Sequence, residues 1–267
     1  MGLKDQLAGV IPAPALSRLS DRFTVIGDIA ILSLPDELAV YKQTIAAAVM
    51  TRQHIIRTVL NKISPLAGDD RTARYENLTG GSTVTVCREY GFLYELDVRR
   101  AFFNARLSTE RDRVTRQVRL GEQVIVPFCG VGPFAIPAAA RGARVVAIDQ
   151  NPDACSWLSR NIRLNHVEEN VTIVNGNAFD CGQFSLQEFD RAIIPTPYGM
   201  DAILGIVTPL VKPGGMIHFY TFRKKHQIPE MIEEFRSKGF DLKFFRACGN
   251  VAPGVSRWVF DLERSGD

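Results

Sequence analysis

Val124-Ile-Val-Pro-Phe-Cys-Gly-Val-Gly-Pro-Phe134 is followed closely by Ala143-Arg-Val-Val-Ala-Ile-Asp149. Each stretch opens on a β-branched apolar run closed by glycine, proline or a carboxylate. Pro133 to Arg141, between them, has the make-up of a short helix, so the segment reads strand, loop, helix, strand. The rhythm continues downstream. Pro152 to Leu164 reads as helix, Val171 to Val174 and Arg191 to Ile194 as strands, and Met200 to Val211 as helix. Gly215 to Tyr220 reads as strand, Ile228 to Lys238 as helix and Arg257 to Leu262 as a last strand. Strands and helices alternating at this spacing imply an α/β, doubly wound parallel sheet, with ligands bound at the carboxyl ends of its strands.

Upstream the pattern differs. Phe23 to Leu32 reads as two short strands around a Gly27-Asp28 turn, Pro35 to Lys62 as helix, and Ser82 to Glu89 with Gly91 to Val98 as a hairpin. Two domains are therefore expected: a smaller mixed α/β module over 1–105 and the doubly wound domain over 106–267. The 267 residues are 46% hydrophobic and 23% charged, which excludes a disordered chain. Lys and Arg exceed Asp and Glu by 32 to 29, which excludes a histone-like polycation but permits a local basic face for a polyanion. The five cysteines, at 87, 129, 155, 181 and 248, form no C-x-x-C pair. That argues against a disulfide framework or a zinc site and for a reducing cytoplasm. The longest apolar run, Val124 to Ile148, is broken by glycine, proline and arginine, and the N-terminus has no signal-peptide pattern, so neither membrane nor metal is expected.

The loop after the first strand of the second half names a cofactor class. Gly130 and Gly132 let the backbone approach a ligand, and Asp149, ending the next strand, can accept hydrogen bonds from both hydroxyls of a ribose. A tight turn with no ligand is the plain alternative for the glycines. The third glycine of a pyrophosphate loop is absent, since Ala135 stands there and Pro133-Phe134 fill the turn. A phosphate-free nucleoside cofactor, S-adenosylmethionine, fits better than a dinucleotide.

Gly130-Val-Gly-Pro-Phe, Asp149-Gln-Asn-Pro-Asp-Ala, Asn161-Ile-Arg-Leu-Asn165 and Gly214-Gly-Met-Ile-His-Phe-Tyr resemble the archaeal and eukaryotic tRNA guanine-37 N1-methyltransferases and their relatives in wyosine synthesis. Upstream, Phe23 to Ile31, Glu95-Leu-Asp-Val and Phe102-Phe-Asn-Ala-Arg-Leu-Ser-Thr-Glu-Arg resemble that family's substrate module, so the likeness runs from about residue 20 to 262. It implies a Rossmann-like methyltransferase sheet, S-adenosylmethionine as cofactor and tRNA as partner; the sequence indicates no oligomer, and a monomer is expected. It also implies a methyl transfer to N1 of guanosine 37. Glu110 would be the general base and Arg71 the cation on guanine O6, with Arg74 an equal candidate for that place. Phe128, Gly130, Gly132, Phe134, Asp149, Asn151, Asn177 and Pro195 would line the cofactor, and Phe102, Arg106, Pro197 and Tyr198 the substrate. On the residues alone, Glu110 reads as an exposed carboxylate at a helix start capped by Ser108 or Thr109. Arg99, Arg100, Arg106, Arg111, Arg113, Arg116 and Arg119, interleaved with Phe102 and Phe103, read either as a track for RNA phosphates or as a solvated helix face.

The departures are specific. Pro127 stands where the family has a carboxylate, Pro195-Thr-Pro-Tyr198 replaces Asn-Leu-Pro, and Asn177 replaces an aspartate that meets the adenine amine. The chain is expected to lack the archaeal methyltransferases' extra N-terminal tRNA-gripping domain, as does the aminocarboxypropyl transferase of wyosine synthesis, the nearest rival. Arg106-Leu107 ahead of Glu110 and Gly132-Pro-Phe resemble the methyltransferase branch. A non-catalytic RNA-binding relative is the third alternative.

Overall fold

The computed structural model describes residues 2–65, 72–184 and 188–266. It divides into two compact units, Met1–Ala105 and Arg106–Asp267.

In the first unit, helices α1 (Leu3–Leu7) and α2 (Ala13–Arg18) precede strands β1 (Thr24–Ile26) and β2 (Ile29–Leu32). A 3-10 turn leads into α3 (Lys42–Arg52), followed by β3 (Thr58–Lys62) and β4 (Tyr75–Asn77). These strands form one sheet in the order β1-β2-β3-β4, with β2 and β3 parallel across the α3 crossover. The expected helix over Pro35 to Lys62 is thus too long. The chain leaves the helix at Gln53, and Thr58 to Asn61 form a strand buried on both faces. A continuous apolar run of that kind has no period of two, and its residues fall on a helical stripe equally well. The expected hairpins are present, the second as β5 (Val84–Glu89) and β6 (Phe92–Asp97), joined at Tyr90 and Gly91, both with positive φ. Gly27 is required by its neighbours. A Cβ there would lie 2.1 Å from Thr85 Oγ1, and that hydroxyl accepts from the Asp28 backbone N–H and donates to its carboxylate at 2.6 Å.

The second unit opens with α4 (Ser108–Thr115), then alternates β7 (Gln123–Pro127), α5 (Ala135–Ala140), β8 (Arg144–Asp149), α6 (Pro152–Leu164) and β9 (Val171–Asn175). After α7 (Cys181–Phe184) come β10 (Phe189–Ile194), α8 (Ile203–Val207), β11 (Val211–Lys224), α9 (Ile228–Ser237), β12 (Phe240–Ala252) and β13 (Val255–Arg264). Among the described residues they form a seven-stranded sheet in the order β12-β13-β11-β10-β7-β8-β9. Five strands are parallel, as expected, but β13 runs antiparallel to β11 and to β12, so the edge is a long hairpin and the sheet is mixed. The helix expected to reach Val211 ends at Val207, because a 3-10 turn containing Pro209 intervenes. The core on one sheet face is aromatic: Phe235 of α9 sits 5.1 Å from Phe260 and 6.2 Å from Phe219 and from Phe240, ring to ring.

A polar chain crosses this apolar sheet. Glu122 accepts from Arg191 at 2.8 and 3.0 Å, and Arg191 Nη1 lies 2.7 Å from His218 Nε2. His218 Nδ1 lies 2.7 Å from Asp261 Oδ1. A guanidinium can only donate, so Nε2 accepts, the ring proton sits on Nδ1, and the imidazole is neutral. Complete burial pushes the proton affinity of His218 down, against the pull of the Asp261 carboxylate. Its proton balance fixes a sign. The unfolded chain gains a proton on this residue below about pH 6.5 while the native state does not, so stability is lost as pH falls. The urea midpoint is expected to drop between pH 7.5 and 5.5, by a free-energy slope of up to about 1.4 kcal/mol per unit. His218→Gln, which accepts and donates without titrating, removes that slope; an unchanged slope in the variant assigns it to other groups.

Candidate functional site

The carboxyl ends of the adjacent strands β10, β7, β8 and β9 carry the loops where the expected cofactor residues lie. β7 breaks at Phe128, which takes a positive φ of 56°, and the chain turns through Gly130 and Gly132, with φ of 55° and 94°. A Cβ on Gly132 would fall 2.5 Å from Leu158 Cδ1 of α6, so only glycine permits both this conformation and this packing. Gly130 N–H donates to Asp149 Oδ2 at 2.7 Å, and Asp149 Oδ1 accepts from Asn151 N–H at 3.0 Å. Asp149 therefore closes the glycine loop onto the end of β8. Asn151 caps α6, accepting from Asp153 and Ala154 N–H, and Asn161, buried, donates to Val131 C=O inside the loop.

Two aromatic rings flank the next loop. Phe128 meets Phe179 edge to face at 6.2 Å, and Asn177, exposed, accepts from Phe179 N–H at 3.1 Å. Apolar ring edges beside carboxylate and amide acceptors match an adenosine group better than a phosphate, which supports the expected cofactor class. After β10, Pro195 leads into a turn in which Met200 N–H donates to Pro197 C=O and Gly199 takes a positive φ. Asp201 anchors this turn to β11 by accepting from Thr221 at 2.6 Å and Arg223 at 2.9 Å. Tyr198, 67% exposed, stands 5.4 Å from the Phe222 ring.

Glu110 is not the exposed carboxylate that α4 suggests on sequence alone. It is 2% exposed, and neither Ser108 nor Thr109 caps the helix. Oε1 accepts from Arg113 Nε and Nη2 at 2.9 and 2.7 Å and from the Tyr220 hydroxyl at 3.0 Å. Oε2 accepts from Arg246 Nε at 3.1 Å and Nη2 at 2.5 Å. Arg113 also grips Asp261 through Nη1 and Nη2 at 2.6 and 2.9 Å and lies 4.5 Å above the Phe244 ring. Burial would drive the charge off Arg113, but its bonds to Asp261 and Glu110 outweigh it and hold the guanidinium firmly charged. Asp261 is likewise held well below the usual carboxylate range: burial pushes up, and the bonds from His218 and Arg113 more than reverse it. Burial and the Glu110 charge push the Tyr220 phenol well up, so it remains a donor. Phe134, 3% exposed, packs 5.4 Å from the Tyr220 ring, so the start of α5 rests on the residue that holds Glu110.

The expected residues are thus placed unevenly. Gly130, Asp149 and Asn151 are joined by hydrogen bonds, Phe128 reaches Asn177 through Phe179, and Phe134 reaches Glu110 through Tyr220. Pro195, Pro197 and Tyr198 occupy the separate turn after β10. Phe102, half-buried, lies near the end of the first unit, and Arg106 opens the second, exposed. Arg71 lies outside the described residues; Arg74 is exposed. The arginine-rich segment is not one phosphate track, because Arg111 is buried and Arg113 is locked among carboxylates. Arg116 does face solvent, paired with Asp112 at 2.8 Å. Arg246, Tyr220 and Asp261 were not among the expected residues. A chain of charged and phenolic groups alternating in sequence with apolar ones gives no sign of which lie together. No helix among the described residues is long and apolar enough to cross a membrane, and none of their His, Cys, Asp and Glu side chains gather in threes that could hold a metal ion.

Residues 85–243 match the TRM5/TYW2 methyltransferase domain, and residues 3–83 match the TYW2 N-terminal domain. The chain is 35% identical over 213 residues to the tRNA (guanine(37)-N(1))-methyltransferase Trm5b of Pyrococcus abyssi, covering 79% of this chain and 63% of that protein. It is 30% identical over 268 residues to the tRNA(Phe) (4-demethylwyosine(37)-C(7)) aminocarboxypropyltransferase of Pyrococcus horikoshii, covering 97% and 95%. Of the guanine-37 methyltransferases of Pyrococcus abyssi, Trichomonas vaginalis and Danio rerio, the chain spans 63%, 47% and 32% of the length. Among solved structures, aTrm5 in complex with tRNALeu superposes with a TM-score of 0.88 at 26% identity, covering 98% of this chain and 78% of that one. Pyrococcus horikoshii TYW2 in complex with MeSAdo superposes at 0.78 and 28% identity, covering 97% of each.

The geometry around Asp149 yields a direct expectation. Asp149→Ala removes the clasp on Gly130 and the carboxylate expected to meet the ribose, and is expected to weaken S-adenosylmethionine binding by about 1.5–3 kcal/mol, the scale of charged hydrogen bonds. Calorimetry giving the wild-type affinity would remove Asp149 from the cofactor site.

Proposed function

The chain belongs to the TRM5/TYW2 methyltransferase family, and we propose that it is a tRNA-modifying transferase that moves a methyl group to N1 of guanosine 37. S-adenosylmethionine is its cofactor. The observation that carries the reading is Glu110, a buried carboxylate tied through Tyr220 to the residue that opens α5 at the end of the glycine loop. Identity to several guanine-37 methyltransferases, at 35% to 39%, supports the same branch.

Guanine N1 bears a hydrogen at neutral pH, so it is a poor nucleophile until a base removes the proton. When bound, the cofactor supplies an electrophilic methyl on sulfur. The chain's residues do the rest. Asp149 orients the ribose, and Phe128 with Phe179 offers apolar edges to the adenine. The main chain of the Gly130 to Gly132 loop makes room for the amino-acid portion. Glu110 takes the N1 proton, and Arg71 steadies charge appearing on O6, an electrostatic role worth about two or more orders of magnitude in comparable sites. Tyr198, exposed on its turn, offers a ring to the target base.

Aminocarboxypropyl transfer is the second reading. It draws on the same cofactor, and the match of residues 3–83 to the TYW2 N-terminal domain favours it. Incubation with unmodified tRNA and S-adenosylmethionine, followed by nucleoside mass analysis, separates the two: the mass of a methyl group on guanosine is expected, and that of an aminocarboxypropyl group selects the rival. Glu110→Gln keeps the shape and removes the basicity. Single-turnover methyl transfer is expected to fall about 100-fold or more, with a smaller deficit at high pH where N1 ionises unaided. Full transfer by this variant at neutral pH would refute the base assignment.

A further inference from the structure

The two guanidinium partners of Glu110 are unequal. Arg113 is fixed on every side, by Asp261, by Oε1 and by the Phe244 ring, and its side chain is 21% exposed. Arg246 stands on the edge strand β12 with a side chain 41% exposed, and among the described residues its ion pair is with Glu110 alone. Register shifts between Leu242 and Phe244 and between Ala247 and Gly249 bracket it, which is where a strand can re-aim a side chain. The oxygens differ accordingly. Oε1 is crowded by donors from the buried network, whereas Oε2 is covered by Arg246. A base must offer a lone pair to the proton it removes, and Oε2 is the oxygen that the motion of one residue uncovers.

We propose that Arg246 is a positioning residue that gates this carboxylate: when tRNA binds, Arg246 leaves Oε2 for a phosphate of the RNA, and the uncovered oxygen accepts the N1 proton. This rests on the methyl-transfer reading. The proton passes from N1 to Oε2, the N1 electron pair forms the new N–C bond, and the C–S pair of the donor leaves with sulfur. A guanidinium fork fits phosphate as it fits carboxylate, so the exchange preserves the bonding of Arg246. Glu110 is not stranded, because Arg113 and Tyr220 remain on Oε1. The groups facing Glu110 are Arg113 from α4, Tyr220 from β11, and Arg246 and Cys248 from β12, with Asp261 of β13 behind Arg113. Burial, then the Glu110 charge, pushes the Cys248 thiol up to about 11. With the Tyr220 phenol also raised, neither ionises in the working range.

The test compares Arg246→Ala and Arg246→Lys with wild type in tRNA binding across salt and in rate against pH. Arg246→Ala is expected to weaken tRNA binding and reduce the slope of log affinity on log salt by about 0.7–0.9, one phosphate contact. The acid limb of the second-order rate at limiting tRNA, which reads the free enzyme, should move up by about half a unit or more. That of the single-turnover rate at saturating tRNA should move less, since Arg246 has already left. Arg246→Lys keeps the charge and should restore the salt slope. If the alanine chain does not fold, Arg246→Gln serves, with the same loss of slope. An unchanged salt slope overturns the proposal, as do two acid limbs that move together, which would keep Arg246 on Glu110 through the chemistry. A wild type that makes no 1-methylguanosine defeats the methyl-transfer reading instead, and the salt slope still decides whether Arg246 meets RNA.

Discussion

One half-buried guanidinium, that of Arg113, sets terms for the rest of the second unit. Its partners Glu110 and Asp261 are carboxylates far out of water, tolerated only when paired, and removing the partner of such a group costs about 3–5 kcal/mol. The chain meets that demand with Glu110 from the same helix, Asp261 from the last strand and the face of Phe244 from the edge. Asp261 in turn requires His218, His218 requires Arg191, and Arg191 requires Glu122. The first helix of the unit is thereby fastened to β13, the last strand, through contacts that apolar packing alone would leave unspecific in register.

The same chain of charges runs into the site. Glu110 holds Tyr220, Tyr220 supports Phe134, and Phe134 begins the helix after the glycine loop that Asp149 clasps. Donors and acceptors set this way by the fold need little rearrangement when charge develops on a substrate, which is the electrostatic form of catalysis. Methyl and aminocarboxypropyl transfer draw on the same cofactor. What separates them is which carbon of the cofactor the target base meets, and Pro195-Thr-Pro-Tyr198, in the turn after β10, is one of the places where this chain departs from the methyltransferase pattern.

Much of this was legible beforehand where local chemistry is decisive. Gly27-Asp28, Tyr90-Gly91 and the Gly130 to Gly132 loop are legible because few residues adopt their backbone angles, and β7 and β8 because short β-branched runs end in proline or aspartate. β3 reads as helix in the sequence because a strand buried on both faces lacks alternation. β12 was missed because it is largely exposed, carries three register shifts and contains Gly249. Arg246 was lost with it. Glu110 came from the family motif, since its own surroundings suggest a solvated helix start. Neither reading of the arginine-rich segment, phosphate track or solvated face, fits Arg113, because a run of arginines does not disclose which of them turn inward; its partner Asp261 lies 148 residues away.

The Arg113 fork, joining Asp261 to Glu110, holds in place the carboxylate proposed as the base. The single-turnover transfer rate of Arg113→Lys, at saturating tRNA and cofactor in a variant verified as folded, tests it most directly. Lysine keeps the charge but cannot bridge both carboxylates with a planar set of donors. A fall of about tenfold or more, with cofactor affinity intact, is the predicted result, the scale of losing an oriented base. A rate equal to wild type would show that Glu110 does not depend on the Arg113 fork for its position.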